Sequence, residues 1–275
     1  MTNPNSDLGV KGMTIAMAIF SIVCLVILGC NLGRFMSSGN STTTSDSTNS
    51  DNGSSDTSGP TSALCSNAFF PAGPAIMRKY RIVYSKGKLG EREYTESFSD
   101  FQGDVFQVHT DFGNVKARVT WRCTPDGLLA TQYENSVSLT QTGASATIHT
   151  VDSNGVTLPP EDRWRPGEKW HAEYHVTEAF TAPDGKQMGT GDGTVSQDGE
   201  IVGQDSITVP AGTFSALKVL TKTQMNLTVE MKGVSLPMNF PLETTAWFAK
   251  GTGMVKSVTK MGKNDATSEL VSSSN

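Results

Sequence analysis

The sequence predicts an all-β domain, a curved antiparallel sheet or open barrel-like sandwich, carried behind an N-terminal membrane-anchoring helix and a disordered linker. Three observations predict it. Apolar and polar residues alternate with a period of two through several stretches, the signature of half-buried strands. Glycine- and proline-containing turn signals separate those stretches. An apolar run near the N-terminus is followed at once by a long series of small polar residues.

Residues 1–12 are polar, carry Lys11 and form a cytoplasmic n-region. Residues 13–30 form a signal or anchor segment, apolar from Met13 to Gly29 apart from Thr14 and Ser21. Its length falls between the roughly 7–15 residues of a signal-peptide core and the roughly 18 of a spanning helix. It closes on Ile27-Leu28-Gly29-Cys30, which resembles a bacterial lipobox, where the cysteine is lipidated and becomes the new N-terminus. Three outcomes stay open: a lipid on Cys30, a retained single-pass helix, or a released protein. Both anchored forms keep the positive N-terminal side in the cytoplasm. The remainder then stands at the extracytoplasmic face of the cell membrane.

Residues 31–64 read as a Ser/Thr/Asn/Asp/Gly-rich tether. From 37 to 62 there is no aliphatic or aromatic residue, and the charges are Asp46, Asp51 and Asp56. Such a chain buries too little apolar surface to offset its conformational entropy. As a flexible coil it spans about 30 Å, enough to lift a domain off headgroups.

Residues 65–262 form a single β-rich domain, followed by a polar tail over 263–275. Val115, Ala117, Val119 and Trp121 alternate with polar residues, as do Trp170, Ala172, Tyr174 and Val176, and Met225, Leu227, Val229 and Met231. One apolar and one wet face suit antiparallel sheets covered on one side. Pro125-Asp126-Gly127, Ser153-Asn154-Gly155, Pro183-Asp184-Gly185, Asp198-Gly199 and Lys250-Gly251 read as turns, and Gly191 and Gly193 likewise. In Val209-Pro210-Ala211-Gly212 the proline and glycine occupy the second and fourth places of a type I turn, joining a strand near Ile207 to one from Phe214 to Leu220.

Three stretches carry a family likeness: "CSNAFFPAGPAIMRKY" (65–80), "VPAGTFSALKV" (209–219) and "WFAKGTGMVKS" (247–257). Together they resemble uncharacterised bacterial extracytoplasmic β domains, many of them lipoproteins, including the group labelled domain of unknown function 3108. The resemblance spans most of 65–257 and implies the fold and the address. Its motifs are turns and packing residues, so it implies no activity.

Cys65 and Cys123 are the cysteines of the folded region. Outside the cytoplasm thiols tend to pair. A disulfide between them would restrict the unfolded chain by about 4 kcal/mol in the chain-entropy model; two buried free thiols are the alternative.

A net charge of −5 lacks the basic footprint of a nucleic-acid binder. The sequence has no G-x-S-x-G, H-E-x-x-H, P-loop, G-x-G-x-x-G or C-x-x-C motif, so no catalytic residue, cofactor or metal is assigned. His171, Glu173 and His175 share one strand face, but a solvated polar face accounts for them better than a metal. Asp192, Asp198 and Glu200 miss the EF-hand spacing. Glu91 with Glu93, and Glu161 with Asp162, read as surface pairs. Met225, Leu227, Val229 and Met231 line either the core or a concave surface for an apolar ligand. The function expected is a non-enzymatic binding or scaffold module of the cell envelope, membrane-held through its N-terminus, with an apolar ligand or an envelope protein as partner. The alternatives are a purely structural envelope lipoprotein and a carboxylate-dependent hydrolase of extracellular polymer.

Overall fold

The computed structural model describes residues 62–274 apart from 86–89, 114–115, 140–143, 183, 232 and 262–263. The expected n-region, the anchor segment ending at Cys30 and nearly all of the tether lie outside the described residues.

Twelve strands follow one another as an antiparallel meander: β1 (Met77–Tyr84), β2 (Glu91–Gln102), β3 (Val105–Asp111), β4 (Lys116–Thr124), β5 (Gly127–Leu139) and β6 (Ala144–Gly155), then β7 (Lys169–Thr181), β8 (Gln187–Val209), β9 (Gly212–Met231), β10 (Val234–Ala249), β11 (Gly253–Met261) and β12 (Asn264–Ser274). Each pairs with its neighbours in sequence, and β12 pairs with β1, so the sheet closes into a barrel. The expected all-β class is what the chain adopts; the described helical structure is two short 3-10 turns, Ala63–Cys65 and Glu161–Arg163.

The two-residue period sets the inside and the outside. On β7, Trp170, Ala172, Tyr174, Val176, Glu178 and Phe180 are buried, while His171 and Glu173 are exposed. On β9, Met225, Leu227 and Val229 point inward against Val195 and Tyr174. Ion pairs decorate the outer wall, among them Lys79–Glu93 at 2.8 Å, Arg81–Glu269 at 3.0 Å and Lys256–Glu269 at 2.9 Å. Apolar inside and charged outside is the reverse of the polarity of a membrane-spanning barrel.

One end of the barrel is sealed. The segment ahead of β1 folds over it, fastened by the Cys65–Cys123 disulfide to the end of β4. Phe70 packs on Phe98, Phe106 and Trp121, and Phe69 stacks on Trp164 at 4.6 Å between ring centroids. Arg78, 1% exposed, is the bolt. Its guanidinium donates to Glu96 at 2.6 Å and to the carbonyls of Thr252 and Pro71, and it lies 4.9 Å from the Phe98 ring centre. A buried guanidinium is tolerable because its donors are answered in this way. The β8–β9 hairpin turns at Pro210-Ala211 with Val209 opposite Gly212, as the turn chemistry predicts, and Ala211 N–H donates to the Leu270 carbonyl on β12.

The other end carries the hairpins from β1 to β2, β3 to β4, β5 to β6, β7 to β8, β9 to β10 and β11 to β12. Among the described residues nothing folds over this end, and the pairing of its wall is incomplete. β10 pairs with β9 along its whole length but with β11 only from Glu243 to Ala249. Among the described residues, 234–242 of β10 therefore present a bare edge. Pro237 and Pro241 stand on that stretch, opposite Thr228 and Gln224. Because β10 stays paired to β9 throughout, both prolines sit where the missing N–H would have faced the bare side.

Two expectations are corrected. Gly191, Gly193 and Gly199 do not make turns, since all three lie inside the 23-residue strand β8, and neither does Ser153-Asn154-Gly155, which ends β6 in register with Tyr174, Glu173 and Ala172. Glycine inside a strand marks a close approach, and a Cβ at Gly199 would come within 2.2 Å of the Trp170 ring. The polar tail is a strand as well: Asn264–Ser274 is β12, which closes the barrel. Its inward side chains Ala266, Ser268 and Leu270 are buried but mostly small. They left no hydrophobic alternation to read.

Candidate functional site

The residues expected to face an apolar ligand are buried. Met225, Leu227 and Val229 are each at most 4% exposed and pack with Tyr133, Ile148, Tyr174 and Phe180 in one core cluster. Met231 alone of the four is half-buried, at the unsealed end. The stripe is thus barrel core, with only its last member near a surface that a ligand can reach.

The acidic and histidine groups that the sequence presented separately meet on the outer wall. His171 Nδ1 lies 2.8 Å from Asp198, and His175 lies 2.9 Å from Asp192 and 3.9 Å from Asp152. Register explains it: β7 and β8 place His171 opposite Asp198, while Asp192 faces Thr177, diagonal to His175. These are exposed cross-strand pairs of modest strength. Among the described residues no group of three or more His, Cys, Asp or Glu could hold a metal ion. Glu91 and Glu93 reach Arg81 and Lys79, and Glu161 accepts from the Ala68 N–H and pairs with Lys250. The Ala68 bond, with Lys250, holds the Glu161 carboxyl below the usual range.

The unsealed end has a different chemistry. Half-buried Phe112, Met188, Met231, Met238 and Phe240 pack against the rim of the core. The apolar face of β9–β10 emerges into solvent there: Leu242 is buried, Phe240 and Met238 are half-buried, Leu236 is 38% exposed and Val234 55%. This gradient runs along the stretch of β10 that β11 does not cover. The wall ends before its apolar lining does.

Inside that rim stands Glu178. It is 3% exposed, and neither carboxyl oxygen has a hydrogen-bond partner. Its flanking inward neighbours on β7 are Val176 and Phe180, and its cross-strand neighbours are Ile148 on β6 and Gly191 on β8. The side chain lies over Gly191, where a Cβ would come within 3.0 Å of Oε2. Burial alone pushes its pKa up to about 7. Sequence reasoning missed this residue although a signal was present. Extending the Trp170-Ala172-Tyr174-Val176 alternation by one step puts Glu178 indoors.

A family model described as DUF3108-like matches residues 118–272, more than half of the chain. Among solved structures, similar chains include a Bacteroides fragilis protein described as exported with a YmcC-like fold. It is 16% identical with a TM-score of 0.41, covering 76% of this chain and 100% of that one. A Parabacteroides distasonis protein described as a lipoprotein is 14% identical with a TM-score of 0.41, covering 75% and 98%. The hypothetical lipoprotein YmcC of Escherichia coli is 9% identical with a TM-score of 0.32, covering 73% and 88%. No curated protein matches the chain.

Proposed function

Because the chain belongs to the DUF3108-like family, whose motifs here are turns and packing residues, we propose that it is a non-catalytic binding module of the cell envelope. It is held at the extracytoplasmic face through its N-terminus, by a lipid on Cys30 or by a retained helix. The observation that carries the binding role is the apolar lining exposed at one barrel end, from Met238 to Val234, where β10 has lost its neighbour. Contiguous apolar surface rimmed by polar wall marks an interaction site. The Cys65–Cys123 bond supports the address, since such bridges persist in oxidising compartments.

Mass spectrometry of the full chain extracted from membranes tests both parts. Under denaturing conditions, loss of residues 1–29 with added acyl mass establishes the lipid, and an intact N-terminus the helix. A soluble chain with Cys65 and Cys123 open to alkylation refutes the address. Under native conditions a bound apolar molecule supports the binding role. A ligand-free chain that also takes up no apolar probe reduces it to a structural one.

A further inference from the structure

Glu178 is the one acidic residue among the buried polar groups of the described residues. A buried carboxyl with both oxygens unanswered costs folding energy that a leucine of similar size would avoid. It sits one inward position below Phe180, roughly 7 Å along the strand, and so one layer beneath the rim. Nothing opposite it on β6 or β8 carries a charge: Ile148 and Gly191 stand there. The half-buried side chains packed against this part of the core include the methionines Met188, Met231 and Met238, which re-pack around irregular shapes more readily than branched residues do. The rim supplies apolar contact, and Glu178 beneath it supplies two unanswered acceptors.

Resting on the binding role above, we propose that the unsealed end takes an amphiphile with a protonated primary amine on an unbranched apolar chain. The ammonium enters first and donates to the Glu178 carboxylate. The chain lies against Met231, Met238 and Phe240 and leaves along Leu236 and Val234. The occupant supplies the donor that the fold withholds, and the exposed apolar stretch of β10 covers the part of the chain outside the rim.

Octylamine, octanol and octanoate share one tail and differ in the head, so they serve as probes below their micellar concentrations. Each is titrated by calorimetry at pH 8 into the full chain in nanodiscs and into Glu178→Gln in the same discs, which cancels partition into the bilayer. Octylamine is expected to bind at least tenfold tighter than the other two, as suits a charge-assisted hydrogen bond. In Glu178→Gln its advantage is expected to fall to within about twofold. Glu178→Leu, which keeps the site apolar, is expected to behave alike and guards against an effect of the glutamine amide. Equal binding of all three probes, unchanged in both variants, overturns the role of Glu178 and leaves the binding module standing. No binding of any probe overturns both.

Discussion

Glu178→Gln should make the protein more stable at slightly alkaline pH, an unusual result for a buried substitution. The carboxyl has its ordinary value of 4.5 when unfolded and about 7 in the barrel. Between those values the folded chain holds a proton that the unfolded chain has released, so stability falls as pH rises. The fall begins near pH 4.5 and is complete above 7. At 1.36 kcal/mol per unit it amounts to about 3 kcal/mol. Glutamine fills nearly the same volume and does not titrate. Above pH 7 the variant should therefore gain up to about 3 kcal/mol on the wild type, or roughly 6–12 °C in melting temperature for a domain of this size. Below pH 4.5 the two should nearly coincide. Urea unfolding of both proteins in non-ionic detergent, from pH 4 to 8.5, measures the difference directly. Outer-wall groups titrate equally in both and cancel. Parallel pH profiles would show that Glu178 is solvated or paired, and would refute both its burial and the cause assigned to its shift.

Three further outcomes follow from the sealed end, the strand glycines and the outer wall. Cys65→Ser combined with Cys123→Ser should cost about 4 kcal/mol for a bridge spanning 58 residues; equal unfolding midpoints for the double variant and the oxidised wild type would contradict it. Gly199→Ala should destabilise by about 1–3 kcal/mol, since its Cβ meets the Trp170 ring, and near-ultraviolet circular dichroism should show the indole displaced; an unperturbed spectrum with wild-type stability would remove the packing argument. For Glu269, burial raises the carboxyl, but hydrogen bonds from Lys256 and Arg81 outweigh it and hold the pKa low. Its contribution is thus present above the ordinary carboxylate range and lost as pH falls through the lowered value. Glu269→Gln should be less stable than wild type at pH 7 and equal to it at pH 2, checked by the same unfolding series.

The fold was legible where each strand contrasted a large inward residue with a polar outward one. Trp170 to Val176 and Met225 to Met231 show that contrast, and both are barrel strands with the expected face inside. β12 was illegible because its inward side is alanine and serine as well as leucine; its place comes from pairing with β1 and β11, which local pattern does not encode. Glycine misled for a related reason. It reads as a turn when judged by its own neighbours, whereas Gly199 answers to Trp170 on the adjacent strand. The cysteine pair was legible because its logic is compartment and count rather than geometry. Its position at the sealed end needed coordinates, as did the meeting of His171 with Asp198 and of His175 with Asp192. Glu178 stood one step beyond an alternation already in view. Its lack of any partner is a property of β6 and β8 and could not be read from β7.

The two prolines of β10 bear on how these molecules live beside one another. An uncovered strand is a template on which a second chain can add its own backbone. Pro237 and Pro241 leave such a visitor without two of the donors it would need, and their rings obstruct its approach. A second copy therefore gains little by adding its backbone here, and the two rings act against edge-to-edge aggregation of the chain.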